Sequence, residues 1–221
     1  MSASASTPTT HLYTLLRQRQ VEGQTVTFHV TEDWQQGRTV FGGVMAALAV
    51  QAMRDVAGHN WPADVSLRAL QTNFIGPGKV GPAHFEVLTL REGKNVRQVQ
   101  AFLRQDGEMA AVFIGVFGGP RVSSMPALEP ERPAVAQQPA DLPSLPFLPG
   151  ITPTFTQHID FRWADGSLPF TGGTGWDTKI YMQLHAGEID PKTEHLDELL
   201  TIIFADAAPT PALSRLSAPA P

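Results

Sequence analysis

The feature that most constrains this chain is the run Val44 to Met53 (VMAALAVQAM), in which Gln51 is the single polar residue. A helix through it is apolar on nearly every side and has to be buried all round, yet it is too short to cross a membrane. Ala46, Ala47, Ala49 and Ala52 keep it thin enough for a curved sheet to close around it, and Asp55 through Asn60 mark its polar exit. One helix so enclosed requires a large sheet.

The flanking sequence supplies that sheet. Gln24 to Val30 is short and β-rich, Trp34 to Thr39 (WQQGRT) carries turn chemistry, and Phe41-Gly42-Gly43 opens the helix. Beyond the helix, Val65 to Phe74 alternates, with Val65, Leu67 and Ala69 on one face, before Ile75-Gly76-Pro77-Gly78 turns the chain. His84 to Leu90 follows, and Gly93-Lys94-Asn95 leads into Val96 to Arg104, with Val99, Ala101 and Leu103 on one face. Gln105-Asp106-Gly107 is a hairpin signal into Met109 to Phe117. Four consecutive strands in meander order are expected after the one helix.

Nine prolines between Gly118 and Pro153, with little periodicity, read as an extended connector. After it the order of strand and helix repeats. Phe155 to Trp163 alternates and Trp176 to Leu184 is β-rich. Asp190-Pro191 reads as the N-cap and first position of a helix reaching about Ala208. In that helix Leu196, Leu199, Leu200, Ile203, Phe204 and Ala207 form an apolar stripe, and Pro209 and Pro211 stop it. The fold class is α+β. The organisation read from the sequence is a disordered tail and lead-in over 1–23, a first domain over 24–118, a Pro-rich linker over 119–153 and a second unit over 154–221. Met1 to Thr10, rich in Ser, Ala, Thr and Pro, reads as a frayed tail without the basic and apolar regions of a signal peptide.

Composition narrows the function. With 16 basic against 21 acidic residues and no Lys/Arg cluster, nucleic acid is not expected as a partner. The absence of cysteine removes disulfides, thiolate nucleophiles and Cys-based zinc sites, and agrees with a reducing compartment, so a cytoplasmic protein without membrane association is expected. No Gly-x-Ser-x-Gly occurs, which disfavours a serine-nucleophile hydrolase. The seven histidines contain no i, i+4 pair, so no metal site is expected, and no cofactor.

Four segments together carry a resemblance to a known family: VFGGVMAALAVQAM (Val40 to Met53), SLRALQTNFIGPG (Ser66 to Gly78), EVLTLREGKNVRQVQAFLRQDGEMAAVFIGVFG (Glu86 to Gly118) and HLDELLTIIFADAAPTPAL (His195 to Leu213). The chain resembles the acyl-CoA thioesterase II family over about four fifths of its length. The resemblance implies a tandem, or double, hotdog fold, in which each antiparallel sheet wraps its own helix. It also implies hydrolysis of acyl-CoA to free acid and CoA. In that family the second repeat continues into three further strands, so a sequence ending at Pro221 reads as incomplete in its second repeat. Hotdog sheet edges commonly pair, and a homo-oligomer is expected.

Thioester hydrolysis needs a water oriented and deprotonated beside the carbonyl, plus donors for the developing oxyanion. Asp206 is the candidate for the first role: it places a carboxylate on the largely apolar stripe near the end of the second helix, where burial would favour a raised pKa. It also matches the family's catalytic aspartate in FADAAPTPAL. The family's polar partners, a hydroxyl residue and a glutamine, fall beyond Pro221. Phe41, Gly42 and Gly43 are the candidates for substrate binding, because side-chain-free backbone at a helix start can point free N–H groups at an oxygen. Close packing of the helix start explains the same glycines equally well. A non-catalytic acyl-CoA-binding protein is the alternative. A weaker one is an enoyl-CoA hydratase using Asp190 and His195, although Asp190 is better explained as a helix cap.

Overall fold

The computed structural model of the chain describes residues 9–126, 128–129 and 131–218. The outer part of the expected N-terminal tail, residues 1–8, lies outside the described residues, as do 219–221. The inner part of the 1–23 lead-in is built into the core. Helix α1 (Leu12–Arg17) buries Leu12, Leu15 and Leu16, and strand β1 (Gln20–Glu22) pairs with β2 (Thr25–Val30).

The short pair β3 (Gln35–Gln36) and β4 (Thr39–Val40) turns at Gly37, whose φ of +67° suits glycine, and delivers the chain to α2 (Gly42–Val56). Strands β5 (Ser66–Phe74), β6 (Gly81–Glu92), β7 (Arg97–Gln105) and β8 (Glu108–Gly118) complete an antiparallel sheet in the order β1-β2-β6-β7-β8-β5. The β7–β8 turn is the hairpin that the sequence announces, with Asp106 and Gly107 both at positive φ.

The meander order holds for β6, β7 and β8 but not for β5, which pairs with β8 instead of β6. The Ile75 and Gly76 amides donate to the Ala110 carbonyl, keeping the end of β5 on the β8 side. The buried Gln105 side chain then grips the crossing segment, accepting from the Lys79 amide at 2.8 Å and donating to the Lys79 and Pro82 carbonyls. A register shift between Leu67 and Ala69 also breaks the expected alternation, leaving Ala69 exposed and Leu70 partly buried.

Side chains from the concave face enclose α2: Val26 and Phe28 of β2, Phe85 and Val87 of β6, Val99, Ala101 and Leu103 of β7, and Phe113 and Phe117 of β8 are all buried. At roughly 1.5–3 kcal/mol for each large side chain withdrawn from water, this face is the main source of stability.

Among the described residues, the segment from Gly119 to Pro153 forms no strand and only a three-residue 3-10 turn, Pro139–Asp141. Arg162 fastens it by donating to the Pro139 and Leu142 carbonyls. A second antiparallel pair follows, β9 (Ile159–Asp165) and β10 (Lys179–Leu184), then helix α3 (Leu196–Ala207). Phe155 lies in a 3-10 turn before β9 rather than in the strand. α3 starts later than its sequence suggests. Asp190 caps a separate turn, its carboxylate accepting from the Lys192 amide at 2.9 Å and its carbonyl from Thr193, while His195 takes up a left-handed conformation directly before the helix.

α3 covers the side of α2 that the sheet leaves open, burying Leu199, Ile203 and Ala207 in the same core. At one end the contact is polar: Arg54 of α2 and Glu198 of α3 form a largely buried ion pair. Arg54 also donates to the Val65 carbonyl and Glu198 accepts from the Leu67 amide at 2.7 Å. Glu198→Ala strips the partner from a buried guanidinium. It is expected to cost about 3–5 kcal/mol in denaturant unfolding, and a loss below about 1 kcal/mol would show that the pair is not what fastens the helices.

A second buried polar group joins the two halves. His158 is fully buried between two carboxylates, Glu188 at 2.7 Å from Nδ1 and Asp33 at 3.3 Å from Nε2, and its ring stacks on Trp34 at 3.9 Å. Burial alone would disfavour the imidazolium, but the two carboxylates outweigh it and hold the His158 pKa above the ordinary histidine value. Burial works against Asp33 and Glu188 too, and the same contacts keep both below the usual carboxylate range. The histidine contribution is complete below about pH 6.5 and fades as pH rises through its raised value; the carboxylate contributions are complete above about pH 4 and fade as pH falls through their lowered values. Thermal stability is therefore expected to be greatest between those limits. His158→Gln should melt earlier at pH 6 and lose the decline on the alkaline side; an unchanged alkaline decline would exclude His158 as its source.

Candidate active site

α2 and α3 run antiparallel, so that Arg54 meets Glu198 at one end and the start of α2 meets the end of α3 at the other. There the sequence candidates come together. A Cβ built on Gly42 would lie 2.9 Å from Asp206 Oδ2, and one built on Gly43 would lie 3.1 Å from Asp206 Cβ. A cleft of about 300 Å³ opens at this junction, walled by Gly42, Gly43 and Ala46 of α2, Leu70, Thr72 and Phe74 of β5, and Ile202, Ala205 and Asp206 of α3.

The two glycines answer to different needs. A Cβ on Gly43 would meet the Phe41 ring at 2.5 and 2.7 Å, and Phe41 is fully buried and stacked on Phe155 at 3.9 Å with only 6° between the rings. Gly43 is thus required by packing. A Cβ on Gly42 would meet the edge of Phe74, a ring 57% exposed, and the Asp206 carboxylate, so Gly42 keeps the cleft itself open. Phe41, expected to bind substrate, is not among the residues lining the cleft; it supports the helix start from beneath.

The first-turn amides of α2 are available. Its N-cap, Phe41, makes no side-chain cap, and the first amide to bond within the helix is that of Met45, to the Phe41 carbonyl. The N–H groups of Gly42, Gly43 and Val44 thus have no partner within the helix and stand at its electropositive end. Asp206 is exposed, which corrects the expectation that burial conditions this carboxylate. Its setting comes from the neighbouring helix start instead.

Phe74 and Thr72 are cleft residues that sequence reasoning missed. The register shift near Arg68 is what decides which face of β5 meets the helices, and no local pattern announces it. Asp190 and His195 sit elsewhere, on the rim of a broader cleft of about 1040 Å³ at the opposite end of α2, and the Asp190 carboxylate is engaged in its own turn. Among the described residues no group of three or more His, Cys, Asp or Glu side chains could hold a metal ion, and no helix is long and apolar enough to cross a membrane.

An antiparallel sheet curled around one long helix, with a second helix and strand pair appended, is shared by solved structures of the hotdog class. A conserved hotdog protein of unknown function from Alicyclobacillus acidocaldarius is 23% identical with a TM-score of 0.72, over 96% of this chain and 75% of that one. The acyl-CoA thioesterase II TesB2 of Mycobacterium marinum is 18% identical with a TM-score of 0.63, over 86% of this chain and 66% of that one. A tesB protein of Mycobacterium avium subspecies paratuberculosis is 18% identical with a TM-score of 0.64, over 88% and 68%. At these identities the likeness establishes the hotdog fold. Residues 30–118 match the family model described as the acyl-CoA thioesterase N-terminal domain, so the resemblance to thioesterase II proteins read from the sequence holds over that unit. No match was found among curated proteins.

The two glycines should part under mutation. Gly43→Ala drives a methyl into a buried ring and is expected to lower stability by about 1–3 kcal/mol, the usual cost of overpacking. Gly42→Ala meets the edge of the exposed Phe74 ring and the exposed Asp206 carboxylate, both side chains that can swing toward solvent, and should unfold within about 1 kcal/mol of the native chain. Equal losses in urea titrations would contradict this division.

Proposed function

We propose that the chain is an acyl-CoA thioesterase, hydrolysing acyl-CoA to a free acid and CoA at the cleft between α2 and α3. The observation that carries the reading is the Asp206 carboxylate set against the uncapped start of α2 in a cleft whose other side chains, Thr72 apart, are apolar. Family and fold support thioesterase chemistry in general, and the geometry suggests the roles. The thioester carbonyl oxygen would face the amides of Gly42 and Gly43, whose partial positive charge favours the oxyanion as it forms. Asp206 would accept a proton from water as its oxygen attacks the carbonyl carbon. Collapse of the tetrahedral intermediate expels the CoA thiolate, which takes up that proton, leaving acid and thiol. No covalent enzyme intermediate is needed, in keeping with a chain that has no cysteine. A cytoplasmic setting and a homo-oligomeric state belong to the same reading.

The test is thiol release from short, medium and long acyl-CoAs. Asp206→Asn retains the shape but removes the base, and kcat is expected to fall by at least roughly 100-fold, the scale of general base catalysis. Gly42→Ala should lower it by at least about tenfold, by crowding the same point. Full activity of Asp206→Asn would refute the assignment, and acyl-CoA binding without any release by the native chain would favour a binding protein instead.

A further inference from the structure

The backbone of Thr10 to Tyr13 is tied to both halves of the chain. The Thr10 amide donates to Asp33 Oδ2, and the Thr10 carbonyl accepts from the Trp34 indole N–H at 2.9 Å. The Leu12 amide donates to the Glu188 carboxylate at 3.0 Å and the Tyr13 amide to the Glu188 carbonyl at 2.9 Å. Asp33 belongs to the 3-10 turn before β3 and Glu188 to the segment between β10 and α3, so the tie crosses from the first unit to the second. Behind it, α1 seats Leu12, Leu15 and Leu16 in the common core and gives Tyr13, Leu16 and Arg17 to the wall of the broader cleft at the far end of α2.

The two carboxylates that hold this segment are the two that hold His158. Asp33 Oδ2 faces the Thr10 amide and also His158 Nε2, at 3.3 Å. Glu188 meets the Leu12 amide with Oε2 and His158 Nδ1 with Oε1, at 2.7 Å, while His11 Nδ1 lies 3.0 Å from the same Oε1. Among the described residues, Asp33, Glu188 and, through Glu188, His11 are the titratable groups on this ring. Trp34, stacked on it, carries no charge, and His185, whose amide donates to the His158 carbonyl, is exposed.

An imidazolium can donate from both nitrogens, and it offsets one of the two buried negative charges. When it loses a proton, one nitrogen turns a lone pair toward a carboxylate oxygen at 2.7 or 3.3 Å, and two buried carboxylates are left with no cation between them. Water reaches them if the segment in front swings away. We infer that Thr10 to Arg17 form a proton-controlled strap, closed across the junction of the two halves while His158 is charged and loosened when the proton leaves. The direction follows from linkage. Burial opposes the charge on His158, but the two carboxylates outweigh it and raise its pKa in the closed state; in an open, hydrated state the value returns toward the ordinary 6.5 or so. Closure is thus fully supported below about pH 6.5 and weakens as pH rises through the raised value. Opening withdraws Tyr13, Leu16 and Arg17 from the broader cleft, so the proton governs the shape of its wall. The inference is independent of the thioesterase reading of the other cleft.

Hydrogen exchange of the full chain, followed by mass spectrometry and normalised at each pH to the rate of the unstructured sequence, tests this. The amides of residues 10–17 are expected to exchange faster than those of α2 and with little response to low urea, the mark of a local opening. Their protection should fall between about pH 6 and pH 9, roughly tenfold for each unit by which the closed state raises the His158 pKa. In His158→Gln it should be low at both pH values and no longer vary. By reciprocity, Leu12→Ala, which loosens the strap but leaves every charged group and amide of the cluster in place, should bring the His158 pKa down toward 6.5 or so in an NMR titration of the ring. That titration and the native profile decide the matter if His158→Gln does not fold. Protection of 10–17 that does not vary with pH overturns the inference, as does exchange of 10–17 that matches α2 in rate and urea response, or an unchanged His158 titration in Leu12→Ala.

Discussion

The contact between α2 and α3 is what the rest of the molecule depends on. A helix apolar on nearly every side cannot be satisfied by one curved sheet, because the sheet reaches only the faces turned toward it. α3 supplies the missing cover with Leu199, Ile203 and Ala207, and the buried pair of Arg54 and Glu198 fixes its direction and register at one end. A buried ion pair adds little net stability over an apolar pair, but it tolerates no slippage, since any shift leaves a charge without its partner. Once that end is fixed, the antiparallel geometry carries Asp206 to the first turn of α2 at the other.

Much of this is legible in the sequence where the cause is local. The buried helix, the hairpin turns at Gly37 and Asp106-Gly107, and the apolar stripe of the second helix each follow from a few adjacent residues. What the sequence hides is non-local. The pairing of β5 with β8 depends on where the crossing segment is gripped, and the grip is a single glutamine, Gln105, from a different hairpin. The cleft face of β5 depends on a one-residue shift near Arg68. Asp190-Pro191 has the signature of a helix start, yet the chain makes a separate turn there and begins α3 at Leu196. His158 looks like any histidine until the fold brings Asp33 and Glu188 to its two nitrogens.

That buried histidine is also joined to the site. Its ring stacks on Trp34, the Trp34 carbonyl receives the Phe41 amide at 2.8 Å, and Phe41 stacks on Phe155 from the segment that leads into β9. The residue immediately before Gly42 is thus clamped through its backbone on one side and its ring on the other. An uncapped helix start gains from such rigidity, because a first turn without a capping side chain is otherwise prone to fray.

The placement of Asp206 runs against local preference. It lies in the last turn of α3, where the helix dipole disfavours a carboxylate, and that turn contains no basic residue to offset it. Within α3 alone the position gains nothing from an acidic side chain. The compensation comes from outside, in the electropositive start of α2, left uncapped by Phe41 and bare of side chains at Gly42 and Gly43. Each helix end is unfavourable by itself, one with a misplaced negative charge and the other with unpaired donors. Together they form a polar junction in an apolar cleft, with a carboxylate and a set of amides facing the same small volume. A structure held together only for stability would cap both ends separately. On the proposed reading, leaving them open to each other places an acceptor for a proton beside donors for an anion, the two parts that attack of water on a thioester requires.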